Sequence, residues 1–199
     1  MTGKVQSGTL NRWFEELCRI KYGALQEITI TSGLRISHGH LPVMGGVYAF
    51  WWTGKMSILR SKKRNRFLEL KGPDGAPVRL KIGDTWLGIN TKLPIPLYVG
   101  KNAADISKRI GQHMRLKDKR MFPLGGSAKK MKAPTTSCQL RAGIEHFFPF
   151  EKDTRSLMLD NEGLSYVILD GEEHAVNRFY LEDLAIGLMR PPFNVDIER

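Results

Sequence analysis

The sequence is poor in cysteine: Cys18 and Cys138 are its only two, they lie far apart, and neither sits in a metal-ligand spacing. A disulfide framework and a zinc knuckle are therefore not indicated, and a reducing, cytoplasmic compartment is expected. Long apolar runs are missing too. None approaches the roughly 20 residues that a membrane-spanning helix needs. The opening residues, MTGKVQSGTLNRWFEELCRIKYG, hold no apolar signal-peptide core. A soluble chain with no membrane partner is expected. There is no internal repeat and no low-complexity tract. Acidic residues are the third shortage: 20 Asp and Glu stand against 31 Lys and Arg, a formal net charge of +11. That imbalance is the mark of a polyanion binder, although charge alone also suits a ribosomal or membrane-surface role. The rest of the composition is that of an ordinary soluble domain, and 199 residues are enough for one hydrophobic core.

Periodicity supplies a skeleton. Residues 9–22 place Trp13, Leu17 and Ile20 at helical spacing with Phe14 beside them, which predicts a short amphipathic helix capped by Thr9 or Asn11 and ended by Gly23. Residues 25–37 read as a strand or an extended arm. VYAFWW (47–52) is β-branched and aromatic and predicts a core strand. Two strands around a Pro-Asp-Gly turn are expected in 67–82, and a second core strand in 93–100. Ile106, Ile110 and Met114 share a face of a helix over 103–115. A basic loop follows over 116–136, then a helix over 137–148, a third core strand over 164–170, and a helix over 178–190 halted by Pro191-Pro192. The expectation is an α/β (α+β) fold: a small central three-stranded antiparallel sheet flanked by helices, with two long basic insertions and an N-terminal helical arm.

Several polar groups fall on these regular elements. Tyr48 and Tyr98 are centred in apolar strands. Arg109 and His113 are four apart and share a helix face. Glu182 lies in the last helix and Asn194 follows its double proline. Each has an ordinary explanation alone: a core tyrosine, a solvated ion-pair face, a dipole-favoured glutamate, a turn asparagine. In order they read GVY (46–48), YVGK (98–101), RIGQH (109–113) and LEDLAIGLMRPPFN (181–194).

This series resembles the GIY-YIG nuclease superfamily, over roughly 45–53, 95–115 and 164–195. The resemblance implies an arm over 1–44 and a nuclease domain over 45–199, with insertions at about 54–93 and 115–163. It implies hydrolysis of DNA phosphodiester bonds with magnesium (or manganese). By position, Tyr48, Tyr98, Lys101, Arg109, His113, Glu182 and Asn194 would form the site. Glu182 would be the protein ligand of a hard cation that keeps several waters. Arg109 would neutralise charge on the phosphate. Tyr48 would take the proton of the attacking water, helped by cationic neighbours, for which His113 and Lys101 are the candidates. Tyr98 would bind the phosphate or position water, and Asn194 would fix the turn. Arg141 and His146 are an alternative pair, worse spaced for one face. His38 and His40, and the run Glu172, Glu173 and His174, offer no completed metal site.

The chain leaves no room for the longer architectures of the superfamily, and it is similar to the small restriction endonucleases. Two basic clusters are expected on phosphates: Arg60, Lys62, Lys63, Arg64 and Arg66, and then Lys117, Lys119, Arg120, Lys129, Lys130 and Lys132. Double-stranded DNA is the expected partner, with a homodimer formed at least on a palindromic site. The rival expectations are a non-specific or nicking defence or toxin nuclease, and an inactive basic nucleic-acid-binding domain.

Overall fold

The structure is a computed structural model. It describes residues 7–32, 35–38, 41–61, 64–65, 67–71, 77–81, 94–114, 118–125 and 139–194. The Pro-Asp-Gly turn, most of the loop over 116–136 and His40 lie outside the described residues.

Three strands form the centre: β3 (Gly46–Trp52), β6 (Ile95–Asn102) and β7 (Glu162–Ile168), in the order β6-β3-β7. Both pairings are antiparallel. Two hairpins lie apart from this sheet: β1 (Thr29–Ser32) with β2 (Arg35–His38), and β4 (Phe67–Lys71) with β5 (Pro77–Lys81). The helices are α1 (Ser7–Leu17), α2 (Met56–Leu59), α3 (Ile106–Met114), α4 (Gln139–Phe147), α5 (Thr154–Asn161) and α6 (Ala175–Met189). The α+β architecture around a three-stranded antiparallel sheet is therefore as expected.

All seven residues of β3 are buried. A strand whose side chains alternate between two covered faces needs apolar residues at every position, and this is why GVYAFWW shows no polar alternation. Tyr48, Phe50 and Trp52 point to one face, which packs with Ile106 and Ile110 of α3 and Leu140 and Ile144 of α4. Val47, Ala49 and Trp51 point to the other, with Leu17 of α1 and Leu181 and Ala185 of α6. Helix α1 thus lies on the sheet, against α6 and β7. It ends at Leu17, six residues before Gly23, although Ile20 still packs on the same core.

The pairing of β3 with β6 slips between Phe50, opposite Tyr98, and Trp51, opposite Pro96. The extra residue, Leu97, is a bulge in the edge strand. It leaves Tyr98 on the face of Tyr48 and Phe50, while Val99 and Lys101 turn toward α6. Helix α6 stops at Met189 because Arg190 takes a left-handed conformation (φ 49°), from which Pro191 leads the chain away.

Candidate active site

Tyr48 stands at the centre of the site, and the geometry begins with a missing side chain. Gly100 lies directly opposite Tyr48 across the strand pair. A Cβ at Gly100 would sit 2.6 Å from the Tyr48 hydroxyl oxygen and 2.9 Å from the Tyr98 ring. The glycine of YVGK is therefore what lets the phenol lie over β6. Tyr98 packs alongside at a ring distance of 6.4 Å. Helix α3 starts four residues after Asn102, whose side chain accepts the backbone N–H groups of Ala104 (2.9 Å) and Asp105 (2.7 Å) and turns the chain into it. The helix delivers His113, whose Nε2 is 2.9 Å from the Tyr48 hydroxyl and whose ring is 4.5 Å from that of Tyr98.

The charges around this cluster set its chemistry. Burial pushes the Tyr48 hydroxyl well above the ordinary phenol range. Tyr98 and Glu182 add to the rise, and the charge and hydrogen bond of the Arg109 guanidinium oppose it. Burial and the Arg109 charge lower His113 to about 3. His113 is thus neutral at ordinary pH and does not act as a cation beside Tyr48, contrary to the expectation for it. Arg109 is the cationic neighbour. It reaches Tyr48 from the same helix while bonding Gln112 Oε1 at 3.2 Å. The Tyr48 hydroxyl and Nε2 of a neutral His113 share one hydrogen bond, whose direction follows the imidazole tautomer. The other ring nitrogen, Nδ1, is buried and has no partner among the described residues.

Glu182 comes from α6 on the other side of β6, and its side chain is only 12% exposed. It forms an ion pair with Lys101 and is close enough for its charge to act on Tyr48. Lys101 is thus the partner of Glu182, not one of the cations that pull on the phenol. Asn194 does not enter the cluster. Its amide accepts from Val99 N–H (2.7 Å) and donates to Val99 C=O (2.6 Å), as a neighbouring strand would. The outer edge of β6 is thereby closed at the residue between Tyr98 and Gly100. Phe193 assists: its N–H donates to Leu97 C=O at 3.1 Å, and its buried ring fills the space left by Gly143 of α4.

The alternative pair belongs to another structure. Arg141 is fully buried, bonded through Nε to Glu145 at 2.6 Å and through Nη2 to the carbonyls of Asp118 (3.1 Å) and Lys119 (2.9 Å). Arg109 and His113 are the pair at Tyr48. Arg120, expected on phosphates, also proves internal: its guanidinium donates to the carbonyls of Phe122, Phe148, Glu151 and Glu145. Lys119 is exposed and 3.6 Å from Asp153, Arg64 lies over the Phe147 ring at 5.4 Å, and Arg60 is exposed. Lys62, Lys63, Arg66, Lys117, Lys129, Lys130 and Lys132 lie outside the described residues. Glu172 and Glu173 are exposed, and His174 packs edge-on against Trp13. Three residues that sequence reasoning passed over carry weight here: Gly100, Gln112 and Phe193. Only the first had a visible signal, as the glycine of a recognised motif.

Among the described residues no three His, Cys, Asp or Glu side chains gather into a metal-binding group. The donor set is a single near-buried carboxylate, Glu182. That fits a magnesium-like cation, which keeps most of its waters and takes one or two carboxylates plus substrate phosphate oxygens. It does not fit a multi-carboxylate cage. Among the described residues no helix is long and apolar enough to cross a membrane. Compared with known proteins, the chain matches no family model, no curated protein and no solved structure.

Proposed function

We propose that this protein is a metal-dependent endonuclease that hydrolyses DNA phosphodiester bonds, resembling the small restriction enzymes of the GIY-YIG superfamily. The observation that carries the reading is the meeting of Tyr48, Tyr98, Arg109, His113 and the Lys101–Glu182 pair around one glycine of an edge strand. These residues come from four separate segments, and a structural ion pair or core tyrosine alone requires no such meeting.

Each residue has a role that its geometry allows. In its ionised form Tyr48 would take the proton of the attacking water and return to the neutral phenol, while its contact with His113 Nε2 fixes where that oxygen sits. The Arg109 fork makes negative charge on Tyr48 less costly and can bond a phosphate oxygen. Tyr98 supplies a second hydroxyl for the phosphate or the water. Glu182 would hold the magnesium ion, which when bound polarises the phosphate and stabilises the leaving oxygen. Lys101 neutralises Glu182 and so reduces repulsion between that carboxylate and an incoming phosphate. The basic insertions would wrap the duplex, and a homodimer would present two sites for double-strand cleavage.

The test is incubation of the chain and of Glu182→Ala with long methylated and unmethylated duplex DNA, in magnesium or in EDTA. Discrete fragments that need both magnesium and Glu182 are expected. A smear or nicked circles with the same requirements would remove site specificity and keep the chemistry. Intact DNA in every lane, with binding retained by both proteins, would overturn the catalytic reading in favour of a basic binding domain.

A further inference from the structure

One aromatic side chain beside the candidate site stands outside both core clusters. Phe179 lies one helical turn before Glu182 on α6, so the two share a face. Phe179 is 48% exposed. The Lys101 ammonium, bonded to Glu182, stands 5.1 Å from the centre of that ring. Tyr180 is equally open and packs edge-on against Phe179 at 6.0 Å. An aliphatic or polar residue would serve a solvated helix face as well, and half of a benzyl group left in water is unfavourable. A ring held by a cation, beside the carboxylate that would carry the metal ion, is instead suited to a π-faced ligand carrying negative charge. A nucleotide has both features.

We propose that Phe179 stacks on a base next to the scissile phosphate, and that the substrate at this position is an unstacked strand, either single-stranded or kinked, and not a regular duplex. The proposal rests on the nuclease reading and deepens it. In a regular duplex every base face is covered by its neighbours, so an aromatic side chain gains a stacking partner only where the strand opens. Lys101 fixes the ring from one side, which lowers the ordering cost of the contact. The +11 charge of the chain draws the strand in. A second copy of this chain is the competing occupant, but a self-complementary interface here would have to desolvate the Lys101–Glu182 ion pair.

The test is equilibrium binding in EDTA, where no cleavage confuses the reading. A fluorescein-labelled mixed-sequence oligonucleotide is offered as a single strand, as a regular duplex and as a duplex with a one-base bulge. The protein is used as the full chain, as Phe179→Ala and as Phe179→Trp. Phe179→Ala should weaken single-strand and bulge binding by roughly 5- to 100-fold and leave the regular duplex nearly unchanged. Phe179→Trp should retain binding. Neither should alter the slope of affinity against salt, because no phosphate contact is lost. Equal binding by wild type and Phe179→Ala on all three probes would overturn the proposal and leave the nuclease reading intact. Loss of binding accompanied by a shallower salt slope would overturn it too, since the effect would then run through Lys101. A shift in sedimentation from dimer to monomer in Phe179→Ala would assign the face to a second copy. If the wild type binds none of the probes, the proposal falls, while the nuclease reading stands or falls separately with the magnesium-dependent cleavage of long duplex DNA.

Discussion

A histidine enclosed by three aromatic rings with an arginine nearby cannot hold a charge cheaply. His113 is held at about 3, against an ordinary value near 6.5, by burial first and the Arg109 charge second. The sign follows from linkage. A depressed folded value contributes stability that is present above about pH 6.5 and is lost as pH falls toward 3. Acid should therefore unfold the protein, and His113→Gln should flatten that limb in denaturant titrations run at a series of pH values. The same value bears on catalysis. Tyr48 is raised well above the phenol range and His113 is neutral, so the cleavage rate should rise with pH across roughly pH 5 to 9 without a break near 6.5. A break at 6.5 that disappears in His113→Gln would show that the imidazole works as a cation after all. Gly100 gives a sharper case. Gly100→Ala places a methyl 2.6 Å from the Tyr48 oxygen, and the buried rings beside it cannot move aside. Overpacking of this kind costs about 1–3 kcal/mol. Stability in chemical denaturation should fall by that amount, and any activity should be lost well beyond what the stability loss explains.

At the scale of elements, β6 is an edge strand that must both carry the site and resist pairing with other chains. Asn194 resolves this by bonding both backbone groups of Val99. Asn194→Ala frees that edge, and a loss of about 1–3 kcal/mol in chemical denaturation is expected, together with greater association at high concentration. Asn194→Asp is the informative companion. It keeps the acceptor for the Val99 N–H and loses the donor to its C=O. The elements themselves were largely legible. The core strands and α3 announced themselves because apolar residues either filled both faces of a strand or recurred every four positions. Helix α5 did not, since Leu157, Met158 and Leu159 are consecutive and only Met158 is fully inside. Its start was marked only by Asp153, whose carboxylate accepts the Ser156 N–H at 3.0 Å. Within the site, order along the chain revealed which residues belong together. Their electrostatics were not readable, because whether a histidine is charged depends on what surrounds it in space. Arg120 was misjudged for the same reason: a basic residue in a basic stretch looks solvated until its guanidinium is seen to donate to the carbonyls of Phe122, Phe148, Glu151 and Glu145. Glu162, at the junction of α5 and β7, was not singled out at all. It is fully buried, both oxygens lack partners among the described residues, and burial raises it well above the carboxylate range against the pull of Arg141. A raised folded value means stability that is complete below the unfolded value, near 4.5, and is lost as pH rises. Glu162→Gln should therefore be more stable than wild type at about pH 8 and lose its advantage near pH 4, as thermal melts at the two pH values would show.

At the scale of the whole molecule, a formal charge of +11 overstates what a polyanion can meet. Arg120 and Arg141 are committed to carbonyls and to Glu145. These cations hold the scaffold together, and removing them should damage folding before it damages affinity. Counterion release separates the two classes. Each phosphate contact contributes about 0.7 to 0.9 to the slope of log affinity against log salt, whereas a cation buried in the scaffold contributes nothing to that slope. Arg120→Gln should lower the melting temperature, because four carbonyls lose charge-assisted donors, and leave the salt slope of duplex binding unchanged. Arg60, exposed just after α2, is the opposite case. Arg60→Gln should leave melting unchanged and reduce the slope by roughly one contact. If Arg120→Gln reduces the slope and Arg60→Gln does not, then the nucleic acid lies across the α4–α5 side of the molecule and not beside α2. The insertion following β3 would then lose its assignment as part of the binding surface.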